Sequence, residues 1–284
     1  MRISENVHQI KLEFQVTEEI RRFVYIYLIL RKNCYLIDSG VSGCEAQIGA
    51  YMETLGRKLS DIRAIFLTHS HPDHIGGAAE IRKRSDCRVY SSAGERPWIE
   101  DIERQYQKRP IPNFYTLVRE SVPVDGSLQD GAQMELEPGL SLACVSSPGH
   151  SMDDISYLLN GHILFCGDSI PAPDEVPILV DYEKSLASLD TLSRLSCLRQ
   201  LEFCCPAWHR ACSGWETLQW INEEKNMLRQ LLQTVASGTE QDKSPHTPAG
   251  LEWIREAMEW KFSCQNPLFQ KTIAAIETSL NSKA

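Results

Sequence analysis

No CxxC pair occurs among the ten cysteines of this 284-residue chain, and no apolar run approaches the ~20 residues that a membrane-spanning helix requires. The first absence removes the usual spacing of a cysteine-built zinc site or redox dithiol, and the adjacent Cys204-Cys205 offer no chelating geometry. Residues 1–16 (MRISENVHQIKLEFQV) alternate polar and apolar side chains without the continuous apolar centre of a secretion signal, so the expected setting is cytoplasmic, with reduced thiols. The strongest apolar run, 23–30 (FVYIYLIL), is short and rich in β-formers and predicts a buried strand. Basic residues are scarce as well. Lys and Arg number 29 against 38 Asp and Glu, giving a net charge of −9. A nucleic-acid partner is not expected, because phosphate binding needs clustered cations. Histidine is scarcer still, with eight in the whole chain.

What is present describes a core-forming globular protein: 42% hydrophobic and 24% charged residues. In the first part strands and helices alternate. Strands are predicted at 23–30 and 34–38, paired across the turn at Arg31-Lys32-Asn33. A helix follows over 44–55, a strand at 61–67, a helix over 76–83 and a strand at 87–90. Residues 93–122 mix Trp98, Tyr106, Phe114 and Tyr115 with Pro97, Pro110 and Pro112. That composition suits a lid over a site or a surface excursion packed by its own aromatics. A second β-rich block has strands at 133–136, 140–145, 155–159 and 163–166, with Asn160-Gly161 as a strong hairpin signal. A helix over 182–201 and a strand at 203–205 come next. Helices over 215–236, 251–262 and 268–280, with a polar linker at 237–250, form the tail.

Three of the eight histidines and an aspartate fall inside THSHPDHIGG, the stretch from Thr68 to Gly77. Neutral imidazoles and carboxylates are good donors for zinc-like cations, and alternate residues of an extended segment project to one side. His69 and His71 can therefore grip one ion, while the turn at Pro72 redirects Asp73 and His74 toward a neighbouring one. Gly76-Gly77 permits a close helix start behind the loop. A His-rich polar loop is the bland alternative, and a metal centre needs donors from elsewhere. His150 (SSPGHS), Asp168 (LFCGD) and His209 (PAWH) each follow a predicted apolar strand.

With these residues in order, the chain resembles the metallo-β-lactamase fold superfamily from residue 20 to 212, and within it the glyoxalase II-like branch. The resemblance implies an α/β fold, an αββα sandwich, with a catalytic domain over 1–212 and a helical C-terminal extension over 213–284. It implies two divalent ions, zinc by default of the donor set, with iron or manganese also suited. His69, His71 and His150 would hold the first, Asp73, His74 and His209 the second, and Asp168 would bridge. Asp38, in LIDSG, would support the metal loop from behind. The shared water, its pKa lowered to about 7, would attack an electrophilic centre, with Asp73 orienting it or accepting its proton.

The implied reaction is hydrolysis of an ester-like bond, thioester or lactone, in a small molecule, with no membrane or nucleic-acid partner. Phosphodiester hydrolysis, mononuclear iron persulfide dioxygenation and a non-catalytic metal-bound regulator are the alternatives. Two departures from the branch stand out. Pro171 takes the place of the tyrosine that quorum-signal lactonases carry three residues after the bridging aspartate. The last histidine, which glyoxalase II presents in a Pro-Gly-His-Gly-like turn, sits here in Pro206-Ala207-Trp208-His209-Arg210. Cys166 reads as a core cysteine, Asp153 and Asp154 as flanks of the strand at Ile155, His162 as exposed, and His8 and His246 as without a role.

Overall fold

A computed structural model describes residues 1–16, 20–173, 175–240, 243–266 and 268–282. The first half contains β1 (Val7–Gln15), β2 (Arg21–Leu30), β3 (Cys34–Ile37), α1 (Glu45–Thr54), β4 (Ile62–Phe66), α2 (Pro72–Ile75), α3 (Ala78–Ser85), β5 (Arg88–Ser92), α4 (Arg96–Ile99), α5 (Ile102–Lys108), α6 (Phe114–Leu117) and β6 (Gly126–Leu128). The second contains β7 (Gln133–Glu137), β8 (Leu140–Ser146), β9 (Ile155–Leu159), β10 (Ile163–Gly167), α7 (Tyr182–Arg199), β11 (Phe203–Pro206), β12 (Cys212–Ser213), α8 (Gly214–Glu240), α9 (Pro248–Ala257) and α10 (Phe269–Asn281). Each half builds a six-stranded sheet, ordered β1-β2-β3-β4-β5-β6 and β12-β11-β10-β9-β8-β7.

The sheets face each other because their strands are apolar on both sides, with a period of two. In β2, Tyr27 and Ile29 join the layer between the sheets, while Val24, Ile26 and Leu28 join the cluster under α1 and α3. In β10, Ile163 and Phe165 point inward, and Leu164 and Cys166 point out under α7 and α8. Phe66 links the sheets, with ring centroids 5.2 Å from Tyr90 and 5.6 Å from Tyr157. Aromatic pairs of this kind contribute about 0.5–1.5 kcal/mol each beyond area burial. The result is the expected αββα sandwich.

Three strands were not anticipated. β1 is an amphipathic edge strand whose alternation carries little apolar weight, yet it pairs with β2 over its full length, from Val7↔Ile29 to Gln15↔Arg21. β6 and β12 are two or three residues long and owe their existence to pairing with β5 and β11 rather than to any pattern of their own. Asn160 and Gly161 have φ of 49° and 77°, the left-handed pair that a two-residue hairpin between β9 and β10 requires.

The helices after residue 213 have no core of their own. Ile221, Leu228, Ile254, Phe269 and Ile273 share one cluster with α7 and the outer face of the second sheet. Asp181 caps α7 by accepting from the Lys184 amide (3.0 Å), and Thr247 caps α9 by accepting from that of Gly250 (3.0 Å), with Pro248 in its first turn. Within the expected 237–250 linker, helix α8 continues to Glu240, and Gln241 and Asp242 lie outside the described residues. Among the described residues, no helix is long and apolar enough to cross a membrane. All ten cysteines are free thiols, and Cys166 is buried with its Sγ 3.6 Å from that of Cys204.

Candidate metal centre

The loops after β4, β8, β10 and β11 meet at one edge of the sandwich, and the chemistry collects there. Asp38, at the end of β3 with φ of 61°, turns its buried carboxylate under the loop that follows β4. Its Oδ1 accepts from the Thr68 amide (2.8 Å), and its Oδ2 from the Thr68 hydroxyl (2.9 Å) and His74 Nδ1 (2.9 Å). A carboxylate only accepts, so His74 carries its proton on Nδ1 and turns Nε2 toward the cleft. The Thr68 hydroxyl, its proton given to Asp38, receives His69 Nδ1–H at 3.0 Å and leaves His69 Nε2 free. The Ile178 carbonyl fixes His150 in the same way, accepting from Nδ1 at 2.9 Å.

Those constraints leave bare nitrogens facing one another. His71 Nδ1 lies 3.0 Å from His69 Nε2 and 2.8 Å from His150 Nε2. One proton on His71 can satisfy only one of the two. Zinc-like bonds of 2.0–2.1 Å in a tetrahedron place donors about 3.3 Å apart, so the spacing suits three ligands of one ion. Beside them, His74 Nε2 is 3.4 Å from Asp168 Oδ1 and 3.6 Å from Asp73 Oδ2. His74 Nε2 and Asp168 Oδ1 are buried without a hydrogen-bond partner. Buried polar atoms are rarely orphaned, and an ion between them would account for both. The sets His69–His71–His150 and His69–His74–Asp168 are each compact enough to share a cation, and the residues present fit a divalent metal.

The charges agree. Burial first, then the neighbouring imidazoles, depress His69 and His71 well below the usual histidine range, so both are neutral donors at pH 7. Burial would depress His74 too, but Asp168, Asp38 and Asp73 outweigh it and hold that imidazole well above the usual range. The carboxylate cage thus favours a cation at His74, either a proton or a metal ion in its place.

Six of the seven expected donors, His69, His71, Asp73, His74, His150 and Asp168, meet in this cleft. His209 does not join them. Its Nδ1 lies 3.0 Å from the Arg210 carbonyl oxygen, and its ring packs against Trp220 with centroids 5.4 Å apart. Trp208 takes the inward direction instead, donating from Nε1 to Asp168 Oδ2 at 3.0 Å.

Other residues at the site gave no sequence signal. Glu95 is fully buried and accepts from the Ser70 amide (3.1 Å), the Asp153 amide (3.2 Å) and the hydroxyls of Ser70 and Ser151. It thereby ties the His69–His71 loop to the His150 loop. Gln105 and Arg109 of the 93–122 excursion also bond to Ser70, so this segment is a wall bound to the His69–His71 loop. Thr272 in α10 donates to the Pro177 carbonyl (2.7 Å) and accepts from the Leu179 amide (3.0 Å). It brackets Ile178, whose carbonyl orients His150.

Asp154, expected as a strand flank, is buried with Oδ1 3.9 Å from His69 Nδ1. Burial and the nearby Glu95 push its carboxyl well above the usual range. A folded-state pKa above the unfolded value means that the folded state holds the extra proton, so stability is lost as pH rises from about 4 through the folded pKa. Asp154→Asn is therefore expected to raise the Tm of the metal-free protein at pH 8 by on the order of 2–4 °C. The gain should shrink toward pH 4.5; equal melting curves at both pH values would contradict the assignment.

A profile of the metallo-beta-lactamase superfamily matches residues 20–200. The chain belongs to that superfamily. Among its relatives, a hydroxyacylglutathione hydrolase from Thiobacillus denitrificans (strain ATCC 25259 / T1) is 34% identical over 129 residues, covering 45% of this chain and 40% of the relative. One from Rhodopseudomonas palustris (strain BisB5) is 28% identical over 197 residues, 66% of this chain and 56% of the relative. A probable metallo-hydrolase from Bacillus subtilis (strain 168) is 29% identical over 152 residues, 50% of this chain and 65% of the relative. The chain thus spans between 40% and 65% of the length of these curated relatives. The fold of a metallo-beta-lactamase family protein from Thermus thermophilus superposes with a TM-score of 0.75 at 18% identity, over 100% of this chain and 96% of that one.

Proposed function

We propose that this chain is a metal-dependent hydrolase that cleaves an ester-like bond, thioester or lactone, in a small molecule. The observation that carries this reading is the convergence of His69 Nε2, His71 Nδ1 and His150 Nε2 within 3.0 Å contacts, two of them with tautomers fixed from behind. A divalent ion, zinc by default of the donors, would be held by these three residues and would supply Lewis-acid chemistry, acidifying water and polarising a carbonyl oxygen. The chain's own residues do the rest. Asp38 and Ile178 hold His74 and His150 in position, and Asp73, on the first turn of α2 beside the cleft, orients the attacking water or accepts its proton. Asp168 spans the cleft, with Oδ1 toward His74 (3.4 Å) and Oδ2 toward His150 Nε2 (3.3 Å), and so would be the carboxylate available to both metal positions.

The choice of bond rests on the matched hydroxyacylglutathione hydrolases, whose name states hydrolysis of an acylated thiol, and on the net charge of −9, which disfavours polyphosphate substrates. The test is a panel assay of the metal-loaded protein. Turnover is expected with aryl and alkyl thioesters or lactones, to be lost on chelation. Turnover confined to bis(p-nitrophenyl) phosphate, or oxygen uptake with a persulfide, would replace this reading with a phosphodiesterase or a dioxygenase.

A further inference from the structure

The turn after β11 is built to place an indole at the centre. Ala207 is tied by its amide to the Gly167 carbonyl (3.0 Å) and by its carbonyl to the Tyr25 amide (2.7 Å), and the Pro206 carbonyl accepts from the Tyr27 hydroxyl (2.7 Å). These bonds lock the backbone on both sheets immediately before Trp208. The indole itself is held by β2: the Arg22 guanidinium lies 4.6 Å over its ring, and Phe23 packs at 6.1 Å between centroids. Its N–H occupies a lone pair of Asp168 Oδ2, while the next side chain, His209, faces Trp220. The imidazole at position 209 thus packs on Trp220, and the two compact donor sets form without it.

We infer that Trp208 fills the place at which a further histidine would complete the second metal position, so that the chain holds one ion tightly and a second one loosely. The tight position is His69, His71 and His150. The loose one has only Asp73, His74 and Oδ1 of Asp168, while the other Asp168 oxygen, Oδ2, faces His150 and accepts from the indole that stands where a further donor would. This inference rests on the metal reading proposed above but not on the bond that is cleaved. Loading is sequential, and any role of the second ion is governed by the free metal concentration.

The test is titration of chelator-stripped protein with Zn²⁺, followed by calorimetry and by competition with a chromogenic chelator. One site per chain is expected to bind at least roughly 100-fold more tightly than the next. His209→Ala should leave both affinities unchanged. Trp208→His should tighten the weaker step by at least roughly 10-fold, a gain that a merely structural tryptophan would not produce. Two equally tight sites in the wild-type protein, or loss of a site in His209→Ala, would overturn the inference while leaving the metal reading intact. Failure to bind any Zn²⁺ would overturn both. The wild-type and His209→Ala titrations decide the matter even if Trp208→His does not fold.

Discussion

Alanine at position 71 is expected to strip the centre of its tightly held ion. His71 Nδ1 is the common neighbour of His69 Nε2 (3.0 Å) and His150 Nε2 (2.8 Å), so His71→Ala removes the donor that ties the other two into one site. Loss of a mere outer partner costs about 10–100-fold in metal affinity, so removal of a direct donor should cost more than roughly 100-fold, with hydrolysis falling in parallel. Position 71 is the informative choice because folding barely depends on it. His71 is only partly buried and precedes α2 as its cap residue without a side-chain capping bond, and its backbone carbonyl, which accepts from the His74 amide (2.9 Å), is kept in the variant. His69, fully buried, would confound metal loss with a cavity. Metal content by elemental analysis should therefore collapse while the Tm of the metal-free protein stays within about 2–4 °C of wild type. Full metal content in His71→Ala would refute the assignment of this position.

The same contrast separates what the sequence reveals from what it hides. The clustering of six candidate donors was legible because metal chemistry needs particular residue types directly after strands, and strands with a period of two announce themselves. The outward turn of His209 was not, because a one-residue offset is invisible without knowledge of how the chain after Pro206 is pinned. The departure was already written in Pro206-Ala207-Trp208-His209, where tryptophan stands two places after the proline. Glu95 and Asp154 were out of reach for another reason. A lone carboxylate has no local pattern, and Glu95 acquires its role only when folding sets Ser70 and Ser151 on either side of it. The tail helices were recognisable as helices. That their apolar stripes cover the second sheet, and that Thr272 bonds the residues on either side of Ile178, whose carbonyl orients His150, follows from packing over about ninety residues of sequence separation.

Gly76→Ala should be among the most damaging single-methyl additions in this protein. The backbone does not explain it, since the φ of −62° at Gly76 is open to any residue. The cause is space. A Cβ there would collide with the Leu117 carbonyl oxygen and sit 2.6 Å from the Ser42 amide nitrogen, both backbone atoms of other segments. Those two atoms are bonded to each other at 2.8 Å, and the Ser42 hydroxyl donates to the Gly76 carbonyl at 2.9 Å. The wall helix α6, the loop before α1 and α2, which carries Asp73 and His74, are therefore laced together at this point, and no side chain can swing aside to make room. Overpacking commonly costs about 1–3 kcal/mol where side chains adjust. Against fixed backbone the expected cost is about 3 kcal/mol or more, lowering Tm by roughly 10 °C in a domain of this size. The displacement also reaches the chemistry. Asp73 and His74 lie within three residues of Gly76, and the His74 carbonyl is held by the Ser39 amide at 2.8 Å. Moving α2 pulls both donors from Asp168, so the weaker Zn²⁺ step should weaken further in any Gly76→Ala protein that folds. A thermal melt and a Zn²⁺ titration check both parts, and a Tm within about 2 °C of wild type with unaltered Zn²⁺ binding would show that the three segments are not locked as described.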